Sequence, residues 1–374
     1  MTVAANVAMM MSVCFILFDL IIDEGQRTRD CETRDKSAGF LVSQTLVFNE
    51  RKNSKYRANH TISLTEKIKN KPKTQSDSFG YHRLETHNLF FHTFAPVKNL
   101  NDIISPIAVE VAQFEAFFRK TLRADTEPMD SIMRYVLDTR GKRLRPVLVL
   151  LGAKLFGEVN EQTLRVAAFV EMVHTATLIH DDVVDDDDQR RGQASVKARF
   201  GNLSAVLAGD YLLAKAVHLL AHPDDHAILD VMLRTTAAMS EGELMQGAAG
   251  LSYEGGRYDN RQDSGCHDVT DLYPQYIDII TRKTAMLMQA CCTAGALSVG
   301  ASSEQIQLVS DFGLLFGILF QLSDDLLDGE NTEATQVLLP VYFDKTMQSL
   351  ESLSPSEIRV ILKNLTVFCV EREG

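Results

Sequence analysis

From about residue 99 onward, apolar residues recur along this chain at intervals of three and four. Val111, Phe114 and Phe118 show the pattern first, and Ile132 and Val136 continue it. This spacing places apolar side chains on one face of an α-helix. Longer helices, apolar almost throughout, are predicted over 164–186, 202–222, 226–247, 274–299 and 304–328.

Residues that interrupt helices separate these predicted segments. Gly192, Gly201 and Pro223 mark breaks, and the polar, glycine-rich stretch from Gly250 to Asp268 predicts a loop. The chain has 374 residues, 45% of them hydrophobic, with nine prolines and no tryptophan. This size is enough for a large core. Long apolar helices with short breaks are typical of a helical bundle, so we predict an all-α fold.

Residues 1–95 differ from this pattern and are predicted to form a poorly ordered N-terminal extension before a helical domain over 96–374. Val3 to Ile22 is apolar, but it contains Asn6 and Asp19 and no Lys or Arg precedes it. These features do not favour a signal peptide or a membrane anchor, and membrane association is the less favoured alternative. Residues 51–73 carry eight Lys or Arg against one acidic residue, which is typical of a solvated segment.

The charge of the whole chain disfavours nucleic acids as partners. Its formal net charge is −12 and its pI is near 5.3, which argues against nucleic-acid binding. A phosphorylated ligand would therefore need local basic residues or a metal. The six cysteines include no CxxC pair, so we expect reduced thiols in a cytoplasmic protein.

An acidic motif of the form DDxxD occurs twice, each time at the end of a nearly uncharged helix. Positions i and i+4 lie one turn apart on the same helix face, so the carboxylates of each copy project from one edge. Crowded like charges repel unless a cation neutralises them, and carboxylates completed by water and phosphate suit Mg²⁺. The copies consist of Asp181, Asp182 and Asp185, and of Asp324, Asp325 and Asp328.

The alternative is that each acidic run is only a solvated helix end. The first copy continues through Asp188 and is ambiguous by itself. The second copy favours a metal site, because both follow helices of the kind that a bundle buries, at 166–180 and 308–323. The acids should therefore lie at the mouth of a hydrophobic interior, where two facing clusters could hold several Mg²⁺ ions around one diphosphate.

Basic residues form three short motifs of their own. Residues 141–146 place three cations at a loop-to-helix junction, where Arg can bind phosphate through two parallel hydrogen bonds. Arg190 and Arg191 follow the first acidic run, and Lys283 precedes Thr284 in an apolar helix. Each motif alone is weak evidence for a binding site. A lysine in an apolar helix, for example, often extends its ammonium to the surface. Together with the acids, they predict a cavity with one diphosphate bound through metal and another bound by Lys and Arg.

At these motifs the chain resembles the trans-isoprenyl diphosphate synthases, the family of farnesyl, geranylgeranyl and longer polyprenyl diphosphate synthases. The motifs stand in the family's order and spacing. The matching stretches are GKRLRP at 141–146, VEMVHTATLIHDDVVDDDDQRRG at 170–192, AVLAGDYLL at 205–213, EGELMQ at 241–246, RKTA at 282–285 and FQLSDDLLD at 320–328. The resemblance implies an isoprenoid-synthase helical bundle around a central hydrophobic cavity, with core motifs at 141–328.

The resemblance also implies an enzyme of the long-chain polyprenyl type, which extends an allylic diphosphate with isopentenyl diphosphate. Metal and cations would stabilise the departing diphosphate, and the isopentenyl double bond would attack the allylic cation. The released diphosphate, rather than a protein base, would take the proton. The implied cofactor is Mg²⁺, up to three ions, and the implied assembly is a homodimer.

Site residues are carried over by motif. The six aspartates would bind Mg²⁺ and the allylic diphosphate, which would also contact Arg190 and Lys283. The residues implied to bind isopentenyl diphosphate are Lys142, Arg145, His174 and Arg191. The implied catalytic residues are Lys283, Thr284 and Gln321, the last two beside the reacting carbons. Glu243 and Gln246 are either pocket residues or ordinary polar positions.

The family's pattern also addresses product length. Its growing chain runs beside the helix before the first acidic motif, so the side chains one turn before Asp181 form the tunnel floor. Here these are Ala176 and Thr177, and neither is a Phe or Tyr that would block the tunnel. We therefore expect a long prenyl product, such as a quinone side chain.

The chain departs from the family after Asp328. The usual Gly-Lys pair is missing from the 46 residues that follow, the shortened C-terminal part 329–374. Basic residues that could close the site are Lys345, Arg359, Lys363 and Arg372. Apolar residues at helical spacing over 354–369 predict one or two packing helices.

This departure keeps a non-catalytic regulatory subunit of a heteromeric synthase as an alternative. Such subunits typically lose acidic motif residues, whereas this chain keeps all six. A terpene cyclase or a head-to-head condensing synthase would also use acid clusters and Mg²⁺. The basic motifs at 141–146 and 190–192, which in the family serve a second diphosphate, argue against cyclisation.

Overall fold

A computed structural model of the chain describes residues 99–139, 141–249 and 273–372. The extension predicted over 1–95 and the loop predicted over 250–268 lie outside the described residues. The described part is helical apart from one pair of two-residue strands, which confirms the all-α prediction. Its helices are α1 (Leu100–Ile104), α2 (Ala108–Thr121), α3 (Glu127–Asp138), α4 (Leu144–Lys154), α5 (Glu161–Val184), α6 (Val196–Phe200), α7 (Asn202–Leu220), α8 (His226–Ala249), α9 (Pro274–Ile280), α10 (Met286–Leu297), α11 (Ser303–Asp328), α12 (Thr332–Glu351) and α13 (Glu357–Glu371).

The two helices that carry the acidic motifs have well-defined ends. Asn160 and Thr163 form a reciprocal capping box at the start of α5, and Ser302 and Gln305 do the same for α11. Each box satisfies backbone N–H groups that a helix start otherwise leaves unpaired. Gly329 ends α11 in the left-handed conformation, with φ +75°. Each acidic motif therefore falls at the C-terminal end of its helix.

The core forms around α5, α10 and α11. Helix α5 packs against α4, α7 and α10, and α11 packs against α10, α12 and α13. On α11, the rings of Phe312 and Phe316 stack with centroids 5.6 Å apart, and both are fully buried. Helices α4 and α10 approach closely because Gly295 has no side chain; a Cβ there would lie 2.2 Å from the Val149 carbonyl oxygen. Helix α13 confirms the packing helix predicted over 354–369, whereas α12 precedes that stretch and was not predicted.

Two local features differ from simple helical expectation. The segment predicted as one helix over 274–299 is α9 and α10 joined by a π-helical segment, Thr281–Ala285. The break at Gly192 is a hairpin between strands β1 (Gln189–Arg190) and β2 (Gln193–Ala194). Its two turn residues, Arg191 and Gly192, have φ of 53° and 74°, as a tight two-residue hairpin turn requires.

Helices α7 and α11 are long and apolar enough to cross a membrane by length and composition. Within the structure, 56% of the apolar window of α11 and 33% of that of α7 are buried. Core helices of soluble proteins meet the same criterion. Membrane association therefore stays an untested and less favoured alternative.

Candidate functional site

The first acidic cluster, Asp181, Asp182 and Asp185, lies at the C-terminal end of α5. Asp182 is buried, and its carboxylate accepts a hydrogen bond of 2.7 Å from Nε of Arg190 and a second from Nη2. Asp181 is half-buried and Asp185 is exposed. The cluster therefore ties one carboxylate to the hairpin and leaves two for a ligand.

The negative charge of the Asp181 carboxylate is unfavourable in its surroundings, and a bound cation would stabilise it. Burial raises the pKa of its carboxyl to about 6, and the carboxylates of Glu243 and Asp185 act in the same direction. Lys283 and Arg190 oppose the shift without cancelling it. The protein environment therefore disfavours the ionised form of Asp181, mainly through burial, and a bound cation would favour it.

The second acidic cluster, Asp324, Asp325 and Asp328, lies at the C-terminal end of α11. Asp325 is buried, and it accepts a hydrogen bond of 2.7 Å from Nε2 of Gln321 and another from the hydroxyl of Tyr276. These bonds hold the carboxylate in one orientation.

Asp324 has a different partner. Its carboxylate pairs with Nη2 of Arg372, the first residue after α13. Burial raises the pKa of Asp324, and the neighbouring carboxylates of Asp328 and Asp325 add to the rise, while Arg372 opposes it. Asp328 itself is exposed. One cation therefore offsets part of the charge of this cluster.

The three implied catalytic residues come together between α8 and α11. Thr284 donates a hydrogen bond of 2.6 Å to Oε1 of Gln321. The ammonium of Lys283 donates to Oε1 of Gln246 at 2.8 Å and lies 2.9 Å from Oε2 of Glu243. Lys283 and Thr284 both lie in the π-helical segment, and such local distortions of a helix occur often at functional sites.

A cavity of about 400 Å³ lies beside the second acidic cluster, and we call it the basic cavity. All four residues predicted to bind isopentenyl diphosphate line it. Its basic lining consists of Lys142, Arg143, Arg145, His174, Arg191 and Arg372. Its apolar lining includes Phe316, Phe320, Leu365 and Phe368. One space thus combines positive charge with an apolar wall, which suits an anion that carries a hydrocarbon tail.

Arg145 and His174 form a pair in this cavity. Nη1 of Arg145 lies 2.9 Å from Nε2 of His174. Burial, together with the positive charge of Arg145 and three further arginines, holds the pKa of His174 well below its usual value. The neutral imidazole therefore accepts the hydrogen bond from Arg145. Nε of Arg145 is buried and has no hydrogen-bond partner within the described part of the chain, a cost that an oxygen ligand would remove.

Arg143, the middle cation of the motif, already has acidic partners. It adopts the left-handed conformation, with φ 51°, at the N-cap of α4. Its guanidinium bonds Glu171 through Nη1 and Glu115 through Nε at 3.3 Å, and lies 5.0 Å above the ring of Phe118. Two carboxylates already neutralise this arginine, which leaves Lys142 and Arg145 as the ligand-facing cations of 141–146.

The hairpin separates its two arginines. Arg190 bonds Asp182, whereas Arg191 lines the basic cavity. The guanidinium of Arg191 lies against Gly141, where an added Cβ would be 2.2 Å from Nη1 of Arg191. The absence of a side chain at Gly141 therefore leaves room for the Arg191 guanidinium at this position.

The residues predicted to control chain length lie on α5, before the first acidic cluster. Ala176 is fully buried, and Thr177 donates a hydrogen bond of 2.9 Å from its hydroxyl to the carbonyl of His174. Neither residue lines the basic cavity. Their role in product length stays a prediction.

Within the described ranges, no group of three or more His, Cys, Asp or Glu side chains is assembled as a metal cage. The carboxylates of three of the six motif aspartates already bind other side chains of this protein. Mg²⁺ typically uses one or two carboxylates and takes its other ligands from water and phosphate. The carboxylates of Asp181, Asp185 and Asp328, which no side-chain hydrogen bond or ion pair of the described residues engages, fit that mode of binding.

Comparison with known proteins identifies the family. Residues 126–337, more than half of the chain, match the polyprenyl synthetase family. The chain belongs to this family. Its membership confirms the resemblance drawn from the motifs, and the matched residues include both acidic clusters and the basic motifs.

Two relatives within the family illustrate the range of products. An octaprenyl diphosphate synthase from Escherichia coli is 33% identical over 230 residues, which cover 62% of this chain and 66% of that protein. A geranylgeranyl diphosphate synthase from Sulfolobus acidocaldarius is 33% identical over 285 residues, or 72% of this chain and 77% of that protein. The chain thus spans slightly less than two thirds of the octaprenyl relative.

A solved structure agrees with the architecture. A polyprenyl synthase from Caulobacter crescentus, crystallised with calcium and isoprenyl diphosphate, superposes with a TM-score of 0.63 at 25% identity. The match covers 75% of this chain and 100% of that one. The helical bundle is therefore the polyprenyl synthase fold.

Sequence reasoning missed some partners within this family site. Tyr276 carried no motif signal, although its hydroxyl bonds Asp325. Arg372 was one of four equivalent basic residues until the structure placed it against Asp324. Glu243 and Gln246 had been ambiguous, yet their spacing of three on α8 puts both beside Lys283.

Proposed function

We propose that this chain is a Mg²⁺-dependent polyprenyl diphosphate synthase. It extends an allylic diphosphate by successive trans condensation with isopentenyl diphosphate and releases diphosphate. The observation that carries the proposal is the basic cavity, which gathers Lys142, Arg145, His174 and Arg191 beside the second acidic cluster. The names of the relatives, and the calcium and isoprenyl diphosphate of the Caulobacter crescentus protein, support the same chemistry.

The two acidic clusters would hold the allylic diphosphate through Mg²⁺. When bound, Mg²⁺ neutralises the charge that develops on the departing diphosphate. Lys283 adds a positive charge near Asp181, where it opposes the rise in the pKa of that carboxyl. The side-chain oxygens of Thr284 and Gln321 lie in the same region. Fixed dipoles of this kind stabilise a nearby allylic cation.

The basic cavity would hold isopentenyl diphosphate. Arg145 and Lys142 bind its phosphates, and the neutral His174 orients Arg145 by accepting its hydrogen bond. The Phe316 and Phe320 side of the cavity packs against the isopentenyl carbons.

In the reaction, the allylic carbon–oxygen bond breaks and diphosphate leaves with the electron pair. The isopentenyl double bond supplies the electrons for the new carbon–carbon bond. The released diphosphate accepts the proton that the product loses.

We propose a long prenyl product, because Ala176 and Thr177 place small side chains one turn before Asp181. The site before the first acidic cluster then leaves room for a growing chain. Substitution of Ala176 by Phe should shorten the product, whereas substitution of an exposed residue such as Val109 should not.

We also propose that the enzyme acts as a cytoplasmic homodimer. Helix α7 supports the dimer, since Leu203 and Leu207 lie one turn apart and are 72% and 50% exposed. Light scattering of the purified protein measures its oligomeric state directly. A monomeric mass at micromolar concentration would contradict it.

The test of function is incubation of purified protein with radiolabelled isopentenyl diphosphate, farnesyl diphosphate and Mg²⁺, followed by chromatography of the dephosphorylated products. We expect a ladder that ends at a long prenyl alcohol and disappears when EDTA replaces Mg²⁺. Asp325→Asn should abolish the ladder, while Asp138→Asn, at an exposed position of α3, should preserve it. A folded wild-type protein that incorporates no label would reject the proposal.

A further inference from the structure

Arg372 stands between the two parts of the site. It is the first residue after α13, and its side chain is only 10% exposed. Nη2 pairs with Oδ1 of Asp324 and lies 3.4 Å from the carbonyl oxygen of Phe320. The guanidinium carbon lies 4.3 Å above the Phe320 ring. One arginine therefore packs on the turn of α11 that begins the second acidic cluster.

The same side chain lines the basic cavity, together with Arg145 and Arg191. Nε of Arg372 is buried and makes no hydrogen bond within the described residues, and Nε of Arg145 shares this property. Leaving a buried donor unpaired is unfavourable, so such donors usually have a partner. Two such donors on residues that line one cavity indicate a ligand that supplies oxygen acceptors.

The pairing of Arg372 with Asp324 also has a consequence for metal binding. A divalent cation that binds the second acidic cluster through Asp324 uses the carboxylate that Arg372 neutralises. Two cations beside one carboxylate repel each other, so the metal and the guanidinium compete for Asp324. Once the metal holds Asp324, the arginine is left with its charge and an unpaired Nε at the edge of the basic cavity.

We propose that Arg372 serves both sites in turn. It neutralises Asp324 in the cation-free protein, and it donates to the diphosphate in the basic cavity when a divalent cation takes that carboxylate. This inference rests on the proposed function, and it deepens it by linking the two diphosphate sites. Because coupling between two ligands is reciprocal, a divalent cation strengthens the binding of isopentenyl diphosphate, and isopentenyl diphosphate strengthens the binding of the cation.

The first measurement is Mn²⁺ binding without any prenyl substrate, followed by electron paramagnetic resonance. Arg372→Gln removes the competing charge, and we expect it to bind Mn²⁺ roughly three- to tenfold more tightly than wild type. Arg372→Lys retains a charge and should fall between the two. Arg359→Gln is the matched control, since Arg359 lies on the same helix and bonds the Leu353 carbonyl, and it should bind Mn²⁺ as wild type does.

The second measurement is the affinity for isopentenyl diphosphate at saturating Mn²⁺, by calorimetry. Here Arg372→Gln should bind roughly three- to tenfold more weakly, the opposite direction from its effect on Mn²⁺. Circular dichroism confirms that each variant is folded. Opposite shifts in the two affinities support the exchange of partners, because simple damage to the site would weaken both.

Equal Mn²⁺ affinity in wild type and Arg372→Gln overturns the inference, as does unchanged affinity for isopentenyl diphosphate. The transferase assay on the same preparations separates this result from failure of the proposed function. An active wild type with unchanged affinities rejects the role of Arg372 alone. An inactive wild type in which both affinities shift as expected supports that role and rejects the catalytic proposal.

Discussion

The hydroxyl of Thr284 donates to Oε1 of Gln321 at 2.6 Å, and Nε2 of Gln321 in turn donates to Asp325 at 2.7 Å. This chain of bonds joins the π-helical segment to the second acidic cluster. One amide therefore orients a proposed catalytic hydroxyl and a proposed metal ligand. The arrangement makes the geometry of both depend on Gln321.

Substitution of Gln321 by Leu should damage stability and catalysis together. It removes both hydrogen bonds and leaves Thr284 and Asp325 short of a partner. We expect a loss of about 1–3 kcal/mol in the free energy of unfolding. We also expect kcat to fall roughly tenfold or more, equivalent to at least about 1.4 kcal/mol in the barrier. Urea unfolding and steady-state kinetics measure the two effects.

Gln289→Leu provides the control for this substitution. Gln289 also joins α10 to α11 through one hydrogen bond, of 3.0 Å to Ser310, away from the acidic clusters. It should reduce stability modestly and leave kcat close to that of wild type. Equal losses of kcat in the two variants would show that Gln321 acts only through packing.

Gly141→Ala should weaken isopentenyl diphosphate binding with little effect on stability. The new Cβ would overlap Nη1 of Arg191, and the flexible end of that side chain would move away. We expect KM for isopentenyl diphosphate to rise roughly three- to tenfold while kcat changes less. Steady-state kinetics with each substrate varied in turn provide the measurement.

A double-mutant cycle with Arg191→Ala tests the cause. If Gly141→Ala acts by displacing the guanidinium, it should have no further effect once Arg191 is truncated. Additive effects of the two changes would place the influence of Gly141 elsewhere.

Asp181→Asn should stabilise the metal-free protein. Burial raises the pKa of Asp181 to about 6, so the folded protein binds this proton more tightly than the unfolded chain. Folding stability therefore falls as the pH rises from about 4 to about 6, and stays lower above that range. After allowance for partial exposure, we expect the variant to gain about 1–2 kcal/mol at neutral pH and little at about pH 4.

Urea unfolding in EDTA measures this gain. Asp138→Asn, at an exposed position, should change stability by less than about 0.5 kcal/mol. A destabilised Asp181→Asn variant would mean that Asp181 makes a favourable native contact. Excess Mg²⁺ should reverse the order, because only the wild type retains the complete ligand set.

His174→Gln should reduce the loss of stability in acid. The pKa of His174 is held well below its usual value by burial and by the charge of Arg145. Below about pH 6.5 the unfolded chain takes up a proton that the folded chain excludes, so stability falls with falling pH at up to about 1.4 kcal/mol per pH unit. Glutamine keeps an acceptor for Arg145 and cannot titrate. Unfolding free energies at about pH 7 and pH 5 should therefore differ less in the variant; an equal difference would contradict this account.

The helices and the two acidic clusters followed from local chemistry. Apolar spacing predicted the bounds of α5, α7 and α11 to within a few residues. A helix that buries one face needs apolar residues at regular intervals, and the sequence shows these directly. The π-helical segment at Thr281–Ala285 escaped this reasoning, because one distorted turn leaves the apolar pattern nearly unchanged. The turn at Arg191 and Gly192 escaped it for a similar reason, since a helix break does not say which turn replaces the helix.

The sequence by itself determined the fold class and the family. It also determined which residues contact each acidic cluster from only a few positions away in the chain. Only the tertiary structure decided how the basic residues are shared. Arg143 and Arg145 are two positions apart, yet one pairs with Glu171 and the other bonds His174. Arg372 meets Asp324 across 48 positions of the chain. Ion pairs of this kind depend on where packed helices bring side chains, and no spacing along the chain encodes those distances.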